Sequence, residues 1–365
     1  MKYKLKQIAE IINGSTPSTS NSEYWDGDIS WITPKDMSLQ MKRYISNGGR
    51  NITQKGYDSC STTLVPKDTI LLTSRAPIGY ISIAQNELCT NQGFKSIICG
   101  DKVLPLFMYY WLSTKVDFLK SISNGATFKE LSKQALENVE IDLPNLETQQ
   151  HIVDTIGSVD DLIEKYEDLY LKIQEFLILK YTQLQSQEGL KVVDIFKCFN
   201  GGTFKSADYV ETSNKKLVTI KNIDATGFNL QDITYLKDSL DCEKYALKYG
   251  DILLTMTGAY LGRCGIVSEK NCYQNQRILK VVGESKAFTY VFLKVNEKAI
   301  FSMGKGSAQP NLSLQDFYQM KVPYSALDIK QFKQYDDLFD IMLNIKLKQQ
   351  KAKEQKQKLL QKYFG

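Results

Sequence analysis

The residues that could do bond chemistry are few. The 365-residue chain has a single histidine, His151, beside Gln149 and Gln150 at the start of a helical pattern. There it reads as a solvated helix residue and not as a base or a ligand. No GxxxxGKS/T phosphate loop occurs, so nucleotide hydrolysis has no support. The glycine-rich stretches at 258–265 and 304–306 lack a strand-GxGxxG-helix context and read as turns. An Asp/Asn-Pro-Pro-aromatic tetrapeptide, of the kind that holds a target adenine for methylation, is also missing. The carboxylate pairs Asp160-Asp161 and Asp336-Asp337 fall on helices and read as solvated faces. The expectation is a chain that performs no catalysis itself, with no metal site.

A different chemistry is present, in polar side chains at turns that recur at matched positions of the two halves. Lys35 and Asp36 in WITPKDM answer to Lys221 and Asn222 in LVTIKNI. Thr73, Ser74 and Arg75 answer to Thr255, Met256 and Thr257, with Arg263 close behind in the second half. Asn91 and Gln92 answer to Asn275 and Gln276, followed by Lys95 and Arg277. Thr127, Phe128 and Lys129 answer to Ala308, Gln309 and Pro310, with Lys305 nearby. Arg and Lys pair with guanine, Asn and Gln with adenine, and Ser, Thr and backbone amides with phosphate. Each of these residues also has an ordinary role open to it in a turn. The repeated set is what points to DNA, because matched positions with different residues suit two readers of different half-sites.

The elements that must position these turns are themselves duplicated. LKQIAEIING (5–14) matches VVDIFKCFNG (192–201), DTILLTSRAPIG (68–79) matches GDILLTMTGAYLG (250–262), and GATFKELS (125–132) matches GSAQPNLS (306–313). The offset is about half the chain, so the repeat is a whole domain plus a helix, far longer than a solenoid period. Short apolar runs at 69–74 and 251–256, 80–84 and 264–268, and 95–100 and 279–284 predict strands. Residues 107–120 and 289–302 predict helices. Ser132 and Ser313 predict helix starts, the latter resembling a capping box with Asp316. Fold class is α+β, twice over: globular segments 1–145 and 189–326, each followed by a long helix, 146–188 and 327–365. Two such copies predict a pseudo-twofold molecule, and duplex DNA is a pseudo-twofold partner.

Along the first long helix, Ile152, Ile156, Val159, Ile163, Tyr166, Tyr170, Ile173, Leu177 and Leu184 follow a 4-3 alternation with Lys180 as one polar step. The second offers Phe332, Tyr335, Phe339, Met342 and Ile345, then a polar middle of Gln349, Ala352 and Lys356, then Leu359 and Tyr363. Residues 147–187 carry eight acidic and three lysine side chains, and 328–363 carry five acidic and nine lysine side chains. Antiparallel pairing of an acidic with a basic helix is therefore expected. A helix of about 35 residues spans roughly 50 Å, a ruler between two readers; packing of each helix on its own domain is the other possibility.

Bulk composition fits a soluble protein without secretion or membrane spans: 42% hydrophobic, 24% charged, net charge +5. No apolar run nears the roughly 18 residues a span requires. Seven scattered cysteines without a CxxC pair argue against a zinc site or a disulfide framework and suggest a reducing cytoplasm.

In order, xLxxIxxIxxG, then T-x-K-D/N, GDILLT, NQ, GS/A with LS, and a Pro-ended strand before a QxxI-type helix, the whole chain resembles the specificity subunit of type I restriction–modification systems. One departure stands out: Asp68-Thr69 replaces Gly-Asp before ILLT in the first half, which puts that turn in question. The resemblance implies two target-recognition domains, each reading half of a split DNA site, with the helices as spacers. It implies partners: double-stranded DNA, two adenine-N6 methyltransferase subunits that use S-adenosylmethionine, and a restriction subunit that uses ATP and Mg. No cofactor is expected in this chain. The competing readings are a helical-hairpin scaffold that binds proteins and not DNA, and a nuclease in its own right.

Overall fold

The computed structural model describes residues 1–365 except 41, 126–128, 185–189, 225–226, 231 and 307–308, together with the side chain at 40. Two compact units emerge: Met1–Asp161 with Lys353–Gly365, and Leu162–Ala352. These cut across the four expected segments, because part of each long helix belongs to each unit.

The first unit is built around a five-stranded sheet in the order Ala9–Asn13, Phe94–Cys99, Ile70–Thr73, Ile81–Ala84, Tyr44–Ile45. All four residues of Ile70–Thr73 are buried because both faces of the strand are covered. Ile70 and Leu72 join the core with Phe107, Met108 and Ile156, while Leu71 joins Ile32, Val65 and Phe94 on the other face. A continuous apolar run is what such a strand requires. A second sheet, Arg50–Ile52, Trp25–Ile32, Cys89–Thr90, carries its own core of Trp25, Trp31 and Ile52.

The second unit repeats the plan. Phe196–Asn200, Ile278–Gly283, Ile252–Thr255 and Cys264–Ile266 form a sheet in the same order. Ile252 and Leu254 face a helical layer and Leu253 faces the other side. A five-stranded sheet holding Lys215–Val218 and Cys272–Gln274 stands where the first unit has Trp25–Ile32 and Cys89–Thr90.

The turn before ILLT survives its substitution. Asp68 (φ 67°) occupies the left-handed conformation that Gly250 (φ 87°) occupies in the second unit. Their amides donate to Ala84 O and Val267 O, both at 2.8 Å. Aspartate tolerates this backbone better than most residues, so the turn is kept. The predicted helices over 107–120 and 289–302 each break once, giving Pro105–Thr114 with Val116–Ser121 and Lys286–Val295 with Glu297–Ser302. Ser132 and Ser313 cap their helices as expected, accepting from Ala135 N (3.1 Å) and Asp316 N (3.0 Å).

The long helices run Leu146–Thr182 and Asp336–Phe364, the second preceded by Ala326–Phe332 and a tight turn. Within the second unit they pair antiparallel. Glu167 meets Lys346 at 3.9 Å, and farther along Phe176 stacks edgewise on Tyr335. Val159, Tyr170, Leu177, Phe339, Met342 and Ile345 are buried, and Ile163, Tyr166 and Ile173 partly so. The seam departs from the expected register at its end: Tyr181 is buried 3% exposed, not Lys180, and Leu184 lies past the helix. Tyr181 packs on Tyr324 and Phe288, aromatic contacts that outweigh the strict 4-3 step.

In the polar middle of the second helix Gln349 and Ala352 are buried, and Gln349 donates to Ile163 O and to the Glu167 carboxylate of the acidic helix. The expectation of solvated faces at Asp160 and Asp336 is overturned. Asp160 is 5% exposed and holds Tyr110 Oη at 2.9 Å and Lys356 Nζ at 2.7 Å. Asp336 accepts from Ser285 Oγ (2.7 Å) and Ala287 N (2.9 Å), securing the start of Lys286–Val295. Asp161 remains on the surface, bonded to Arg43, and His151 is exposed as expected.

Candidate nucleic-acid interface

In each unit the same four backbone pieces converge at one edge of the central sheet. The first is the glycine turn at 13–16 or 200–203. Gly14 packs so tightly that a Cβ there would stand 2.1 Å from Asn91 O, and one at Gly201 would stand 2.2 Å from Asn275 O. Only glycine allows that approach. The second piece is an Asx turn, in which Asn91 Oδ1 accepts Gly93 N at 2.9 Å and Asn275 Oδ1 accepts Arg277 N at 3.0 Å. The third is the strand exit, where Ser74 N donates to Gly93 O (2.7 Å) and Met256 N to Arg277 O (3.0 Å). The fourth is a chain crossing: Glu130 pairs with Asn124 and Asn311 with Lys305 in isolated antiparallel bridges. Leu131 N and Leu312 N then bond Ser74 O and Met256 O, both at 2.9 Å.

These hydrogen bonds define which positions correspond. Leu72 opposes Lys95 and Leu254 opposes Leu279 in the two sheets. Arg277 therefore corresponds to Gly93, and Lys95 to Leu279. The cations that follow the two NQ turns, Lys95 and Arg277, therefore occupy different positions, as NQGFK and NQRILK also show when aligned from their asparagines.

Several sequence-selected residues turn out to build the edge instead of facing outward. Thr73 is fully buried, its hydroxyl donating to Pro77 O (2.7 Å) and accepting from Tyr80 N (2.9 Å). Thr255 is buried likewise, bonding Tyr260 O and accepting from Arg263 N. Ser74 and Asn222 have no exposure. Asn222 Oδ1 accepts Thr219 N at 2.9 Å, as Asp36 accepts Thr33 N at 2.8 Å in the matched turn. A side chain with its polar atoms spent inside the turn has none to give a ligand. Arg263 lies against Tyr260 and pairs with Glu297 at 3.9 Å.

The outward residues are Lys35, Gln92 and Lys129 in the first unit and Lys221, Gln276, Arg277, Lys305 and Gln309 in the second, all exposed, with Arg75 partly so; Thr257 is partly exposed but its hydroxyl is buried. Lys305 pairs with Asp316 at 2.9 Å, and the Asp316 carboxyl is lowered by hydrogen bonds from Ser313 and then Lys305. Thr127, Phe128 and Ala308 lie outside the described residues. Lys95 is a nearly buried cation, 5% exposed, its pKa lowered because burial penalises the charge, an effect opposed by Glu130.

Sequence reasoning passed over Thr16, Thr203 and Glu130. Thr16 donates its hydroxyl to Gln92 Oε1, and Thr203 donates to Gln276 Oε1 at 2.6 Å. Each threonine thus fixes the carboxamide of an exposed glutamine in the same way in both units. The signal was there: Asn13-Gly14-x-Thr16 and Asn200-Gly201-x-Thr203 share one spacing. Among the described residues no group of His, Cys, Asp or Glu is placed to hold a metal ion, and no helix is long and apolar enough to cross a membrane.

Comparison with known proteins bears on this edge. The family model described as type I restriction modification DNA specificity domain matches residues 1–175 and again 188–357. The MjaIX type I restriction enzyme specificity subunit of Methanocaldococcus jannaschii is 36% identical over 347 residues, 86% of this chain and 80% of that protein. The EcoR124I/EcoR124II specificity subunit of Escherichia coli is 27% identical over 168 residues, 43% of this chain and 40% of that one. The solved S subunit of a type I restriction–modification system from M. genitalium superposes with a TM-score of 0.63 at 17% identity, covering 100% of this chain and 96% of that chain. That last likeness concerns the fold.

Proposed function

We propose, from the premise that this chain belongs to the type I restriction modification DNA specificity family, that its two sheet edges read the two halves of one split DNA site. It is the DNA-recognition subunit of a type I restriction–modification complex. The observation that carries the half-site reading is the pattern of sameness and difference along the matched edges. The scaffold is identical: a glycine turn, a clamped glutamine, an Asx turn and a bridge. The side chains presented on it differ: Gly93 against Arg277, Arg75 against Thr257, Lys129 against Pro310. Identical scaffolds with different donors and acceptors present different patterns to the major groove. Lys35, Lys129, Lys221 and Lys305 supply phosphate contacts that orient each unit without specifying sequence.

The chain carries out no bond chemistry in this reading. Two methyltransferase subunits bring S-adenosylmethionine for adenine-N6 methylation, and a restriction subunit brings ATP and Mg, all in the cytoplasm. The paired long helices set the gap between the half-sites. A protein-only scaffold is the weaker reading, because it assigns no purpose to clamped glutamines repeated in both units.

The test is to express the chain with its cognate methyltransferase subunit and map N6-methyladenine in host DNA. A split motif that vanishes when the chain is omitted supports the reading. Binding of DNA by the complex should also weaken steeply and linearly in log–log coordinates as salt rises. A stable complex that methylates no split motif would return the argument to the scaffold.

A further inference from the structure

The first unit carries a charged cluster that the second lacks. Lys95 Nζ stands 3.8 Å from Glu130 Oε1, and Arg75 Nη1 stands 3.7 Å from Glu130 Oε2. Ser74 Oγ lies 3.5 Å from Lys95 Nζ. At the corresponding positions the second unit has Leu279, Thr257, Asn311 and Met256, with Leu279 and Met256 packed in its core. A lysine in a core position costs stability that a leucine does not. The second unit demonstrates that the fold needs no charge there.

The cluster opens on a cavity of about 460 Å³ lined by Asn13, Gln92, Lys95, Asn124, Glu130 and Lys133, among others. Apart from Gly14, every residue lining it carries a polar side chain. The Glu130 side chain is 45% exposed, whereas that of Lys95 is 6% exposed. The acid faces outward and the buried base stands behind it. Both ion pairs are longer than hydrogen bonds, so they hold the carboxylate in place while leaving its oxygens able to accept. Two cations around one anion also keep the edge net positive, so the carboxylate does not repel a phosphate backbone.

We propose that Glu130 is the specificity-determining residue of the first unit, accepting the exocyclic amino group of a cytosine or an adenine in the major groove. This rests on the DNA-reading function proposed above. A carboxylate accepts from cytosine N4 or adenine N6 and is opposed by the O6 of guanine and the O4 of thymine. Lys95 is a positioning residue: it holds Glu130 and does not itself reach the groove. Asn311, in the same place in the second unit, is neutral and both donates and accepts, so the two half-sites obey different rules at this position.

The experiment is methylation mapping in cells that carry the chain with its methyltransferase subunit, comparing wild type with Glu130→Gln and with the triple change S74M/K95L/E130N. The triple change places three of the second unit's four residues in the first unit and keeps Arg75; methionine and leucine at these two sites are a packing the fold already contains. Glu130→Gln is expected to lower discrimination about tenfold at one base pair of one half-site. The triple variant is expected to change preference at that same base pair, and the other half-site to stay as it was. If both variants methylate the wild-type motif with unchanged stringency, or if both half-sites relax together, Glu130 is not the reader. A wild-type chain that directs no split motif would instead overturn the DNA-reading function, and the two failures are separable in the same data.

Discussion

Lys356 sits 2.7 Å from Asp160, and the acid of this pair is almost entirely buried, with Tyr110 Oη bonded to its other oxygen at 2.9 Å. The lysine comes from the polar stretch that interrupts the apolar pattern of the second long helix. Inside the first unit it answers a buried charge that would otherwise stand uncompensated.

Removing one partner should therefore cost more than removing both. Lys356→Ala is expected to destabilise the chain by about 3 kcal/mol, since it strands a buried carboxylate. Asp160→Asn with Lys356→Met should recover much of that loss. Denaturant midpoints of the three variants check this, and a double variant as unstable as Lys356→Ala would show that the pair is not the unit of stability.

Lys95 makes an opposite prediction. Its pKa is lowered by burial, so the folded chain binds the proton less tightly than the unfolded chain. For a depressed lysine the cost is fully present below the folded pKa and is relieved as pH rises from there toward the ordinary lysine value. Lys95→Leu, which installs the residue found at Leu279, should raise stability at pH 7 by about 1 kcal/mol. The advantage should shrink at high pH. Urea unfolding at pH 7 and pH 10 distinguishes this from a gain in packing alone, which would not vary with pH.

Arg277 is exposed on the Asx turn of the second unit, where the first unit has Gly93. Arg277→Ala should weaken or relax recognition at one half-site only, by about tenfold for a lost bidentate contact. Competition binding against DNAs altered in either half reads this directly. Equal loss at both halves would contradict one unit per half-site.

The long helices give a geometric prediction. Inserting one four-residue turn into each should change the number of base pairs tolerated between the half-sites, without changing the bases read in either. Methylation mapping reports both quantities at once; a gap that stays constant removes the ruler from the mechanism.

Much of this protein is legible in one dimension. The doubled order of ILLT strands, NQ turns and serine-capped helices follows from local rules: buried strands need unbroken apolar runs, helix starts need a cap, and sharp turns need glycine or a small polar residue. Because the repeat lies inside one chain, each half also serves as a control for the other. That is why Asp68 could be paired with Gly250 before its φ was known. What the sequence could not decide is which polar side chains remain free. Thr73, Asn222 and Gln92 look equally eligible as letters, but the first two spend their polar atoms closing their own turns, whereas Gln92 is held outward by Thr16. Nor could it place Lys95 in a core beside Glu130, 35 positions away, or Asp160 under Lys356, 196 positions away, since neither spacing belongs to a local pattern. Burial and the competition for hydrogen bonds are properties of packing between distant segments, so only the tertiary structure assigns them.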